Sequence, residues 1–90
     1  MVRGRFQKMN YFIYVLINRN NKRSYVGFTT DIKRRLNEHQ TAKLSHRNLD
    51  FKPVLIEIFP NKKDAQRREN YLKTTKGKFT LKAMLKETLK

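Results

Sequence analysis

Ninety residues are enough for one compact domain and leave little material for a second. The absence of cysteine excludes disulfides and thiolate zinc sites, and the longest apolar stretch, Phe12–Ile17, is far too short to span a membrane. Twenty-two lysines and arginines against seven aspartates and glutamates give a formal charge of +15, an excess that repels itself and is usually kept for a polyanion. Nucleic acid is the first candidate, because neutralising phosphates releases counterions. A ribosome-bound structural protein and an anionic membrane surface are the bland alternatives.

In chain order, residues 1–10 read as a basic arm, and MVRGRFQK lacks the small-residue cleavage site of a signal peptide. Tyr11 to Asn18 is a β-branched and aromatic run with the look of a buried strand. Arg19-Asn20-Asn21-Lys22 is a polar turn whose asparagines tolerate left-handed backbone, and Arg23 to Phe28 resumes the strand pattern, giving a hairpin. Thr30 is the expected N-cap of a helix in which Ile32, Leu36 and His39 form one inward stripe, fading near residues 40–43. Residues 42–52 are a basic connector. Pro53 to Phe59 reads as a third strand that begins at its proline and is ended by Pro60. Asn61 can cap a second helix running to Lys73, with Asp64 at its positive end. A break is expected over Thr74 to Lys78 around Gly77, followed by a basic amphipathic helix on Leu81, Met84, Leu85 and Leu89. The order β-β-α-β-α-α predicts an α+β domain with a small, mainly antiparallel three-stranded sheet flanked by helices. The expected divisions are an arm at 1–10, a main domain at 11–75 and a C-terminal helix at 76–90 packed on that domain.

The chemistry concentrates in an ordered series. Tyr14 closes Phe12-Ile13-Tyr14, Tyr25 opens Tyr25-Val26-Gly27 eleven positions later, Arg35 lies eight beyond Gly27, His39 four beyond Arg35, and Glu69 follows on the second helix. In this series the chain resembles the GIY-YIG endonuclease superfamily, and is most similar to its small free-standing bacterial members, over about residues 11–75. "FIY" and "YVG" alone would be weak; the whole series in matching strand and helix context is specific. One departure is visible, since Phe12 stands where the first motif has glycine.

Phosphodiester hydrolysis needs an activated water, charge on the phosphoryl oxygens and help for the leaving oxygen. Tyrosines on neighbouring strands at matching parity share one face of the sheet. The resemblance implies Tyr14 as general base, with or through water, a role that needs nearby positive charge because phenol ionises only near pH 10. Tyr25 would position water or phosphate. Arg35 offers a planar fork to two phosphate oxygens, although a solvated helix arginine is the ordinary alternative in so basic a chain. His39, one turn after Arg35, can share proton transfer or bond the phosphate; a half-buried helix histidine is its bland counterpart. Glu69 matches the family's single metal-ligating glutamate, and magnesium, with manganese as a substitute, is satisfied by one carboxylate plus waters and phosphate. A plain salt-bridge acceptor is the alternative. Gly27 permits close approach of backbone, or simply ends a strand. Lys33, Arg34, His46, Arg67, Arg68 and Lys73 are candidate DNA contacts, and Glu57 reads as a strand-surface residue.

These residues predict a divalent-metal-dependent DNA endonuclease of repair, recombination or processing type. Duplex or branched DNA would be held mainly through phosphates, by a cytoplasmic monomer without membrane contact. The alternative is a catalytically weak DNA- or RNA-binding module of the same fold.

Overall fold

The computed structural model describes residues 9–40 and 51–90, apart from the side chains of residues 39 and 40. Strand β1 (Tyr11–Asn18) lies between β2 (Ser24–Thr29) and β3 (Phe51–Phe59) in an antiparallel sheet of order β2-β1-β3. Helix α1 (Ile32–Gln40) follows β2, and α2 (Lys62–Leu72) and α3 (Thr75–Met84) follow β3. The α+β class, the three-stranded antiparallel sheet and the element order are as expected from the sequence.

Burial on both faces explains why β1 reads as a continuous apolar run, with Ile13 to Ile17 all buried. Ile13 and Val15 face the main core with Val26, and α2 and α3 close that core through Ala65, Leu72, Leu81 and Leu85. Tyr11, Phe28 and Phe59 pack at its edge. Alternation puts Phe12, Tyr14 and Leu16 on the opposite face, where the register pairs Tyr14 with Gly27 and Leu16 with Tyr25.

Several local details depart from the expected ones. In the hairpin, Asn18 supplies the turn: its Oδ1 accepts from the Asn20 and Asn21 amides at 2.8 and 3.1 Å. Lys22, not an asparagine, takes the left-handed backbone, with φ 63°. Helix α1 is capped by Asp31, one residue after Thr30. Its Oδ1 accepts from the Arg34 amide at 3.0 Å, its carbonyl takes the first helical bond from Arg35, and Thr29 Oγ1 accepts the Asp31 amide. A carboxylate at the positive helix end outcompetes a hydroxyl for this position.

Strand β3 begins at Phe51, two residues before Pro53. Val15 pairs with Leu55 but Leu16 with Pro53, so the ladder is bulged around Val54. On this edge strand the bulge accommodates a residue without an N–H. Asn61 caps α2 as expected, its Oδ1 accepting from the Lys63 and Asp64 amides at 2.8 and 3.4 Å.

The expected break around Gly77 falls earlier. Thr74 caps α3, accepting the Gly77 amide at 3.0 Å, and Gly77 lies buried inside the helix. Helix α3 ends at Met84, and the chain continues in a turn closed by the Leu89 amide on the Leu85 carbonyl at 2.8 Å. Glu57 lies opposite Ile13 on the core face and receives both Arg68 nitrogens, Nε at 2.8 Å and Nη2 at 3.0 Å, tying β3 to α2.

Candidate active site

The hairpin brings two tyrosines onto one face because Tyr14 sits opposite Gly27 and Tyr25 lies two residues before it. The Tyr14 ring lies directly over Gly27: a Cβ there would stand 2.3 Å from Cζ and 2.4 Å from the hydroxyl. Gly27 is therefore required for space, its φ being ordinary. The rings of Tyr14 and Tyr25 are 6.1 Å apart and inclined at 52°, and Phe51 meets Tyr25 edge-on at 6.4 Å. Tyr14 is only 1% exposed, whereas Tyr25 is 45% exposed, so the pair reaches from the interior to the surface.

Helix α1 carries Arg35. Its Nη1 bonds Glu38 at 3.1 Å, and the same carboxylate receives Arg34 at 3.0 Å. The Nε of Arg35 is enclosed and finds no hydrogen-bond partner among the described residues. Leaving such a donor unpaired costs about 1–3 kcal/mol. On α2, Glu69 is largely shielded, and Lys73 Nζ approaches it at 3.0 Å.

Three groups, Tyr25, Arg35 and Glu69, act on the Tyr14 hydroxyl. Burial raises its pKa most, the adjacent Tyr25 raises it further, Arg35 pulls it down, and a hydrogen bond with Tyr25 and the charge of Glu69 push it up. The balance holds Tyr14 as a phenol well above the range of an exposed tyrosine. Below about pH 10 this group leaves stability unchanged. Above it the unfolded chain releases a proton that the folded chain keeps, so stability falls as pH rises, by at most about 1.4 kcal/mol per unit. Urea midpoints measured across this range should decline more steeply for the wild type than for Tyr14→Phe. Parallel curves would mean that Tyr14 ionises like a surface tyrosine.

Other candidates are placed as follows. Lys33 is exposed on α1, and Arg34 binds Asp31 at 3.5 Å as well as Glu38. Arg67 is exposed and paired with Asp64 at 3.2 Å, Arg68 is held by Glu57, and Lys73 by Glu69. His46 and the side chain of His39 lie outside the described residues. No group of three His, Cys, Asp or Glu side chains suited to a metal occurs among the described residues. Sequence reasoning missed Glu38 as the residue that gathers Arg34 and Arg35, although spacings of four and three along a helix signal such pairs. Glu57 carried no comparable signal, because its partner is eleven residues away.

A sheet hairpin with paired tyrosines, followed by a helix bearing the arginine, is the arrangement of a nuclease family. Residues 10–82 match the GIY-YIG catalytic domain, and the chain belongs to that family. Within it the chain is similar to small UPF0213 proteins. It is 43% identical over 61 residues to one from Streptococcus agalactiae serotype V, covering 62% of this chain and 69% of that protein. It is 34% identical over 68 residues to one from Halalkalibacterium halodurans, covering 72% and 71%. The solution NMR structure of a UPF0213 protein from Bacillus halodurans matches with a TM-score of 0.56 at 31% identity, over 84% of this chain and 85% of that one.

Proposed function

We propose that this protein is a divalent-metal-dependent endonuclease that hydrolyses DNA phosphodiester bonds at Tyr14, Tyr25, Arg35 and Glu69. The observation that carries the reading is the convergence of the other three residues on the Tyr14 hydroxyl, beside an arginine Nε without an acceptor among the described residues. A phosphate oxygen is the acceptor whose charge and geometry suit that guanidinium.

In the reaction, water attacks phosphorus and one P–O bond breaks. Arg35 stabilises the charge that gathers on the phosphoryl oxygens, and the exposed Tyr25 hydroxyl orients water or phosphate. Tyr14 rests as a phenol, chiefly through burial; compensation of the Glu69 charge while Arg35 stays close would favour its phenolate. Once its proton has passed by way of the hydrogen-bonded Tyr25 to solvent, that phenolate would take the proton of the attacking water.

Glu69 suits a magnesium ion, which takes few protein carboxylates and keeps several waters. Its present partner, Lys73, is half exposed, and an i,i+4 pair of that kind is worth only about 0.3–0.5 kcal/mol, so it yields readily. When bound, magnesium, or manganese in its place, supplies positive charge to the phosphoryl oxygens and acidifies coordinated water. His39 is the further candidate for proton transfer. Lys33, Arg34, His46, Arg67 and Lys73 would contact the DNA backbone; Arg68, with two nitrogens on Glu57, has less to offer. The substrate is duplex or branched DNA of repair, recombination or processing, bound by a monomer. A cytoplasmic setting accords with the lack of cysteine. Among the described residues no helix is long and apolar enough to cross a membrane.

The test is cleavage of plasmid, flap and single-stranded DNA with magnesium or manganese. Arg35→Ala should lower the rate at saturating DNA by about a hundred- to a thousandfold, the range for one lost transition-state donor. Binding should weaken only slightly, because a formal +15 holds the backbone. If the wild type cuts none of these substrates, the protein is a binding module of the same fold.

A further inference from the structure

Charge is neutralised unevenly over this protein. Among the described residues every Asp and Glu side chain pairs with a cation of α1 or α2, with Lys73 at the end of α2, or with Lys90. None of these ion pairs among the described residues places a carboxylate at the end of the sheet by the hairpin turn. Two adjoining depressions there, of about 350 and 250 Å³, share Ile17, Lys22 and Leu89 as lining. Arg19 and Lys52 complete the cationic lining of the first, and Arg23, Lys78 and Lys82 that of the second. Among the described residues no acidic one lines either depression. Lys82 also rests over the Phe79 ring at 5.8 Å. Six cations drawn from the turn, β3 and α3 repel one another unless a polyanion lies among them.

Lys22 sharpens the point, since it lines both depressions and has φ 63°. Left-handed backbone costs an ordinary L-residue about 1–2 kcal/mol, and a lysine side chain has no short polar group to offset this locally. Glycine or asparagine would serve the turn better. A residue held in a conformation it disfavours points to a role for its side chain.

We infer that this basin is a second DNA contact, gripping backbone phosphates of the strand that leads away from the active site. The inference rests on the nuclease reading, which makes DNA the polyanion. Along β1, Ile17 stands three residues beyond Tyr14, about 10 Å at the rise of a strand, and on the other face of the sheet, so a DNA backbone would reach the basin around the turn end of the sheet. Lys22 touches substrate phosphate without taking part in bond breaking.

The experiment is fluorescence anisotropy of the full chain with a labelled duplex in EDTA over a series of KCl concentrations, with thermal melts alongside. Lys22→Asn removes the charge and suits the left-handed backbone. It should weaken binding about three- to tenfold at ~0.1 M salt and reduce the salt slope by about one phosphate, with an unchanged or higher Tm. Lys62→Ala, which deletes an exposed charge at the start of α2, should change affinity by less than about twofold. In cleavage assays Lys22→Asn should raise KM and leave kcat unaltered. The basin is refuted if Lys22→Asn binds as the wild type does, if Lys62→Ala loses as much affinity, or if Lys22→Asn lowers Tm together with affinity. DNA binding and cutting that ignore Lys22 would overturn this inference alone, whereas a wild type that binds no DNA would overturn the nuclease reading with it.

Discussion

Tyr14→Phe and Glu69→Gln should each reduce DNA cleavage by about a thousandfold, and the double variant should be scarcely slower than either. The reason is that the Tyr14 hydroxyl and the Glu69 carboxylate act on each other. Burial does most to raise the Tyr14 pKa and Glu69 adds to it, so compensating the Glu69 charge makes the phenolate easier to form. Groups that share one transition state lose activity together, and their separate losses do not add.

Both substitutions spare the fold. Phenylalanine keeps the ring over Gly27 and removes a hydroxyl whose hydrogen-bond partner, Tyr25, is 45% exposed and can turn to water. Glutamine is nearly isosteric with Glu69 and gives up only its ion pair with Lys73. Thermal melts should therefore move by about 1 kcal/mol equivalent at most, the worth of an ordinary hydrogen bond. Independent, multiplicative losses would separate the two residues. A folded Tyr14→Phe that cuts at near the wild-type rate would reduce Tyr14 to a strand residue and make His39 the next base to test.

Gly77→Ala should destabilise the protein by about 3 kcal/mol or more, against the usual sign for a glycine inside a helix. Elsewhere in a helix the change gains about 1 kcal/mol by restricting the unfolded chain. Here the new Cβ would lie 1.9 Å from the Tyr71 carbonyl oxygen and 2.5 Å from Leu72 Cα. Both are backbone atoms of the preceding helix, so no rotamer change relieves the contact. Helix α3 must lift away from α2, withdrawing Leu81 and Leu85 from the core they share with Ala65 and Leu72. In a domain of this size the loss corresponds to a fall in Tm of about 12 °C or more. Cleavage should fall as well, because α2, which carries Glu69, loses the packing support of α3. A Gly77→Ala variant as stable as the wild type would mean that the two helices do not cross at this distance.

The candidate-site series was legible because its signals are local. The alternation of β1 and β2 puts Tyr14 and Tyr25 on one face, helical spacing places Arg35, and the Asn61 cap sets the start of the helix that bears Glu69. The excess of positive charge and the β-β-α-β-α-α order likewise need only composition and period. What the chain order could not convey depends on residues that meet only after folding. Gly77 looks like a helix breaker until Tyr71 and Leu72 are seen to leave it no room for a Cβ. Glu57 looks like a surface residue of a strand until Arg68 crosses from α2 to hold it. The direction of the Tyr14 pKa shift has the same origin. Propensity and spacing place a tyrosine on a strand, but burial by the surrounding elements and the distances to Tyr25, Arg35 and Glu69 decide whether it holds its proton. Lys22 follows the same logic, since its left-handed backbone goes with a turn closed by its amide on the Asn18 carbonyl rather than with any preference of lysine.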